Sequence, residues 1–445
     1  MRNPVRKLII FALSQLLFLA ACGGSSSDAL STSSTGTGTG TTGTGTTGTG
    51  PTSGTQTIAT VNNTNAVAME VNAGPAGGQA NIPYVTVTIC APGSTTNCVA
   101  IPNVEVDTGS YGVRIIASVL ANASSTVYNA LTPETVTNSG ITGNLFECTM
   151  FADGFSWGSM ATADVVIGTE RAAGQSVELM GDETDNIPSN CANTGSEEDT
   201  VALFGANGII GVGPFVTDCD GCSGNPANAN NGYYWSCPAG GGTCTGTEVA
   251  STQEASNPVA SFTTDNQGVI LELPAIPDAG AATAAGTLVF GIGTQSNNAL
   301  GSVTVFGTDD EADFNINYKN QLYSEAFMDS GSNIYFFNDS SITECTSGSG
   351  STETAIYCPS SELTETALVE GASGNPQASV TFFVTNAETA NGAFTAFDNV
   401  AAPFTPTETT TSQFDLGLPF FYGRNVFIAI AGQNTSGGTG PYVAF

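Results

Sequence analysis

Val104-Glu105-Val106-Asp107-Thr108-Gly109-Ser110 and Ala326-Phe327-Met328-Asp329-Ser330-Gly331-Ser332 follow one pattern. Each runs from a short, mostly apolar stretch into an aspartate, a small hydroxyl residue, a glycine and a serine. A lone Asp-Ser/Thr-Gly is an ordinary turn. Two of them, in separate halves of one chain, point to a pair of carboxylates brought together across an interface.

The residue types fit that reading. Two carboxyls about 3 Å apart cannot both ionise easily, so they share a proton. One then serves as a base that activates water, and the other as an acid that protonates a carbonyl oxygen. Gly109 and Gly331 let the backbone turn sharply beside each carboxylate. The neighbouring hydroxyls can donate hydrogen bonds that hold the carboxylates in plane.

Further segments fall in order around this pair. Phe151-Ala152-Asp153-Gly154 is followed by Trp157-Gly158-Ser159-Met160 and Ala163-Asp164-Val165-Val166-Ile167-Gly168. Asn207-Gly208-Ile209-Ile210-Gly211-Val212-Gly213 comes next, then Asn257 to Phe262, Val269 to Leu273 and Gly286 to Gly293. Phe414-Asp415-Leu416-Gly417-Leu418-Pro419-Phe420-Phe421 and Asn425 to Ile430 close the series. Over roughly residues 80 to 432 this succession resembles the pepsin-type, bilobal aspartic proteases. It also resembles an uncharacterised family of bacterial lipoproteins carrying these motifs.

The resemblance implies an all-β, pepsin-like double barrel with pseudo-twofold symmetry and few short helices. It implies catalytic roles for Asp107 and Asp329, with Ser110 and Ser332 bonded to the aspartates. Thr108 and Ser330 would cross-brace the two loops beneath the site. Phe151, Asp153, Gly154 and Trp157 would belong to a flap hairpin that covers peptide or protein substrate and excludes water. Ile209-Ile210-Gly211 and the stretch around Leu416-Gly417 would be the hydrophobic-hydrophobic-Gly elements of the two lobes. No cofactor and no metal are implied. The chain departs from the pattern in three places. Phe151 stands where a tyrosine is usual, with Trp157 nearby as a replacement donor. Ser332 stands where a threonine often does. No propeptide with blocking lysines is evident.

Composition supports the same class. Tyr84-Val85-Thr86-Val87-Thr88-Ile89 alternates with period two, as a half-buried strand does. Helical periodicity is confined to short stretches near Ala117 to Leu120 and Pro258 to Phe262. The 445 residues suffice for two lobes, expected at 58–285 and 286–445. The chain has no histidine, which removes Ser-His-Asp, Cys-His and imidazole-zinc chemistry and leaves carboxylates. Beyond the leader only Arg114, Arg171, Lys319 and Arg424 are basic; four bases against 39 acids give a formal −35. Nucleic acid is a poor partner for such a field. Arg114 and Arg424 are each expected to pair with a carboxylate.

Residues 1–21 have a basic start, an apolar run and a small-residue end, as a secretion signal does. Leu19-Ala20-Ala21-Cys22 resembles the bacterial lipobox, so Cys22 is expected to be acylated and to anchor the chain in a membrane. Gly23, rather than aspartate, favours the outer membrane of the cell envelope. Residues 22–57 form a Ser/Thr/Gly tether with a reach of about 30–35 Å. A monomer is expected.

Ten cysteines remain in an oxidising compartment. Neighbouring pairs are Cys90 with Cys98, Cys148 with Cys191, and Cys345 with Cys358. In an insert near 216–249, Cys219 pairs with Cys222 and Cys237 with Cys244; crossed pairings and a four-thiolate zinc site are the alternatives. Tyr233-Tyr234-Trp235 either caps this insert or lines a cleft. The functional expectation is an envelope endopeptidase. The competing expectations are a silent member that binds peptides or cell-wall fragments, and an envelope scaffold or adhesin.

Overall fold

Why this chain forms strands is visible in Pro83–Cys90. Val85, Val87 and Ile89 are buried in one cluster while Thr86 between them faces out. Cys98–Asp107 pairs antiparallel with it, and a disulfide joins the opposed Cys90 and Cys98. The computed structural model describes residues 56–445, apart from 139, 153, 183–186, 220–221, 224–231, 240, 348–353 and 405–411. Among the described residues the protein is mostly β, with helix limited to short segments such as Ala117–Ala123 and Pro258–Ser261.

Three bodies of sheet position the site. The first lobe is built around Cys98–Asp107, Tyr111–Ile116, Ile141–Met150, Gly154–Ile167, Glu170–Met180 and Gly208–Val212. The second is a seven-stranded sheet, in the order Gln377–Val384, Leu363–Glu370, Phe314–Tyr318, Gln321–Met328, Gln413–Leu416, Tyr335–Phe336 and Ala401–Ala402. Its core is aromatic, with Phe337 stacked on Phe414 at 4.8 Å.

Between the lobes runs an antiparallel floor. Its order is Ala66–Val71, Ala284–Phe290, Gly268–Leu273, Arg424–Ala429, Tyr442–Ala444 and Val305–Gly307. Gly268–Leu273 is buried at every position, as a strand covered on both faces must be. Val269 and Leu271 join the main core, while Ile270 packs with Val289 and Phe427 on the other side. The floor therefore crosses the division expected near residue 286: strands from the far end of the chain hydrogen-bond into the sheet of the first lobe.

Candidate active site

Cys98–Asp107 ends on its aspartate, and Gln321–Met328 ends one residue before Asp329. In each lobe a third strand threads beside the resulting loop. Gly208–Val212 lies parallel to the first, with Gly211 opposite Asp107, and antiparallel to Tyr111–Ile116. Gln413–Leu416 lies parallel to the second, with Leu416 opposite Met328, and antiparallel to Tyr335–Phe336. The two lobes thus repeat one local arrangement.

The loops brace one another. Thr108 N donates to Ser330 Oγ at 3.1 Å, and Ser330 N donates to Thr108 Oγ1 at 2.9 Å. Each hydroxyl donates onward to the opposite strand, Thr108 Oγ1 to Met328 O at 3.1 Å and Ser330 Oγ to Val106 O at 2.7 Å. Both side chains are buried, so these bonds replace water that cannot reach them. Gly109 N donates to Asp107 Oδ1 at 2.7 Å and Gly331 N to Asp329 Oδ1 at 2.8 Å. Ser332 adds its N–H to Oδ1 of Asp329 at 3.2 Å and its hydroxyl to Oδ2 at 2.9 Å. The symmetry breaks at Ser110, whose buried Oγ makes no hydrogen bond among the described residues.

The glycines have a different reason from the expected sharp turn. Neither adopts a left-handed φ. A Cβ on Gly109 would lie 2.7 Å from the carboxyl carbon of Asp329, and one on Gly331 would lie 2.8 Å from Asp107 Oδ1. Each glycine makes room for the carboxylate of the other lobe.

Both aspartates are fully buried. Burial holds the Asp329 carboxyl well above the ordinary range, helped by the charges of Asp107 and Asp415 and by a hydrogen bond with Asp107. Ser332 acts in the opposite direction. The pair can therefore keep one proton between them, and that proton belongs to the pair. Tyr111, directly after the first quartet, feels both aspartates and Asp313; burial and these charges keep its phenol protonated. Tyr111 and Asp415 escaped sequence reasoning. Tyr111 reads as an ordinary strand start, and Asp415 is hidden in an apolar run.

The flap residues separate into two groups. Phe151 N donates to Gly154 O at 2.8 Å, closing the turn between Ile141–Met150 and Gly154–Ile167. Phe151 is buried against Phe204, with ring centroids 5.6 Å apart. Ala152 reaches an apolar cluster containing Ile334 and Phe336 of the second lobe. A Cβ on Gly154 would lie 2.4 Å from Ser196 O. Trp157 stacks on Phe146 at 5.1 Å, in a separate cluster with Cys148, Cys191 and Trp235. Its indole is therefore not beside Phe151, and its Nε1 makes no hydrogen bond among the described residues. Asp153 lies outside the described residues, as does Cys22 with its leader and nearly all of the tether.

The two arginines of interest behave differently. Arg114 is fully buried and pairs with Glu147 at 2.5 Å, Asp218 at 3.2 Å and Glu178 at 3.3 Å. Arg424 makes no carboxylate ion pair among the described residues. It donates to the carbonyls of Phe420 and Thr381 and lies over the Phe420 ring at 4.2 Å.

The disulfides are Cys90–Cys98, Cys148–Cys191, Cys219–Cys222, Cys237–Cys244 and Cys345–Cys358. The four sulfurs of the insert thus offer no thiolates to zinc. Among the described residues, the one group of cysteines and acids close enough to hold an ion is Cys345, Cys358 and Glu388, and its sulfurs are bonded to each other. Tyr234 belongs to the ion cluster, through Tyr234 OH donating to Asp218 Oδ1 at 2.7 Å, while Trp235 packs on the Cys237–Cys244 side.

Residues 60–445 match the family described as "Protein of unknown function (DUF3443)". The chain belongs to that family. No curated protein matches this DUF3443 member. Among solved structures it is similar to the aspartic proteinase from Irpex lacteus, with 13% identity and a TM-score of 0.44 over 85% of this chain and 96% of that one.

Proposed function

We propose that this chain is an aspartic-type endopeptidase of pepsin-like architecture, anchored in the outer membrane of a bacterial envelope by lipid on Cys22. The observation that carries this reading is the reciprocal Thr108–Ser330 brace, which fixes Asp107 and Asp329 within hydrogen-bonding reach. The proton shared by the pair passes to the oxygen of a peptide carbonyl. Asp107 takes a proton from the attacking water, and a C–O bond forms to give a tetrahedral diol. The C–N bond then breaks as the nitrogen receives a proton from the pair. Extended peptide enters when the tip around Phe151 and Ala152 lifts from the second lobe.

The test uses the purified full chain, a peptide library and a range from acid to neutral pH. Acid-favoured cleavage is expected, with Asp107→Asn and Asp329→Asn each lowering kcat on the order of 10³-fold. Undiminished cleavage by either variant overturns the reading. A silent peptide or cell-wall binder is the second reading, favoured by Phe151, which brings no hydroxyl to the flap and is buried against Phe204. Peptide retention without cleavage decides for it.

A further inference from the structure

The register of the two lobes exposes a residue that breaks their symmetry. Ile209 and Asp415 hold equivalent places, each two residues before the glycine of its threading strand (Gly211, Gly417). Ile209 lies between Glu105 and Arg114 on the neighbouring strands; Asp415 lies between Phe327 and Phe336. The first lobe sets an apolar side chain between two charges. The second sets a carboxyl between two phenyl rings. Phe336 is buried in an apolar cluster with Ile334, Val400 and Phe404, and Phe327 packs against it.

Asp415 is fully buried. Among the described residues neither of its oxygens has a hydrogen-bond partner of ordinary geometry, and no ion pair includes it. The polar groups that act on it or feel it are Ser332, Asp107 and Asp329. A carboxyl facing two others without a cation is held neutral: burial opposes its ionisation first, the Asp107 charge adds to this, and Ser332 offsets only part. A neutral carboxyl carries one O–H donor. Ser332 gives its only proton to Asp329 Oδ2 and keeps a lone pair free to accept.

We propose that Asp415 is a third carboxyl of this site, a positioning residue whose O–H donates to Ser332 Oγ and so fixes the Ser332–Asp329 hydrogen bond. Its kinetic consequence rests on the endopeptidase reading; the proton on Asp415 does not. Loss of that proton as pH rises removes the donor and adds a negative charge beside the pair, which ends activity on the alkaline side.

The test compares the full chain with Asp415→Asn, a neutral donor that does not titrate, and Asp415→Leu, which gives the second lobe an apolar residue like Ile209. Carboxyl carbons of labelled aspartates are followed by NMR against pH, alongside the pH profile of cleavage. The expected spectrum has one resonance, absent from Asp415→Asn, that stays protonated above the ordinary carboxylate range. In Asp415→Leu, where Ser332 no longer holds the charged form in place, Asp329 titrates at higher pH than in the parent; in Asp415→Asn it is little moved. Asp415→Asn keeps kcat/KM within about threefold at acid pH and extends activity to higher pH. Asp415→Leu lowers kcat about tenfold with KM little changed, the effect of one lost hydrogen bond in the transition state. An Asp415 resonance that titrates in the ordinary range overturns the proposal, as does a parental pH profile and titration curve in Asp415→Leu. Should Asp415→Leu not fold, the resonance and Asp415→Asn carry the test. If the parent cleaves no peptide while the Asp415 resonance stays protonated, the endopeptidase reading falls and the proton assignment stands.

Discussion

A single methyl group is what Gly109 excludes. Alanine there would place a carbon 2.7 Å from the Asp329 carboxyl, which hydrogen bonds from Gly331 N, Ser332 N and Ser332 Oγ hold in place. Gly109→Ala is expected to lower kcat/KM about a hundredfold by displacing the pair, and to cost about 1–3 kcal/mol of stability by overpacking. Kinetics and a thermal melt on one sample check this; parental values for both would remove the close-approach argument. The need for glycine was legible in the sequence, but its reason was not. Local rules know only what a residue permits its own backbone. The atom that Gly109 accommodates belongs to a residue in the other half of the chain. Ser110 is the converse case: the same letter as Ser332 at the same offset, yet only Ser332 bonds its aspartate.

Arg114 ties several elements together. Its partners Glu147 and Glu178 lie on Ile141–Met150 and Glu170–Met180, and Asp218 on the segment beyond Gly208–Val212. Thr149 and Ser156 complete the network by hydrogen bonds to Arg114 and Glu178. Burial and the charge of Glu147 hold both Glu178 and Asp218 well above the ordinary carboxylate range even with the guanidinium present. Arg114→Met is expected to cost about 3–5 kcal/mol at neutral pH, because it strands buried acids, and less at acid pH, where they take up protons. Urea unfolding at both conditions measures it; an equal cost at both contradicts the charge argument. Sequence reading anticipated an ion pair for Arg114 but not its size. Glu147 and Glu178 sit in strands where an acid reads as an outward residue. Asp415 was obscured for a similar reason, since its apolar neighbours mark a strand and say nothing of the one charge in it. Proximity in sequence puts Trp157 beside Phe151. Its side chain instead packs with Phe146 and Cys148, away from the cluster that holds Phe151.

The whole molecule should be more stable in acid. Burial raises Glu272 from 4.5 to about 7 and Asp398 from 3.8 to about 6. The folded chain therefore binds protons that the unfolded chain has already released. Stability from these groups is fully present below about pH 4 and is lost as pH rises through about 6 and 7. Asp329, Asp415, Glu178 and Asp218 shift in the same direction. Asp339, lowered to about 2 by Lys319 and neighbouring hydroxyls against its burial, opposes the trend only in strong acid. Tm is expected to be several degrees higher near pH 5 than near pH 8, measured by calorimetry; the reverse order would mean that these carboxyls ionise freely in the folded state. The all-β class was legible from alternation and from glycine and asparagine breaks. The floor was not, because its strands are short and their partners are remote in sequence. Ala66–Val71 pairs with Ala284–Phe290, and Gly268–Leu273 with Arg424–Ala429. That floor sets an order of events during biogenesis. Its fifth strand, Tyr442–Ala444, lies far along the chain from Val305–Gly307, and among the described residues it is that strand's one strand partner. The early half stays incomplete along one edge until strands from the late half dock, so closing the floor carries the entropy cost of very long loops and makes it a slow step of folding.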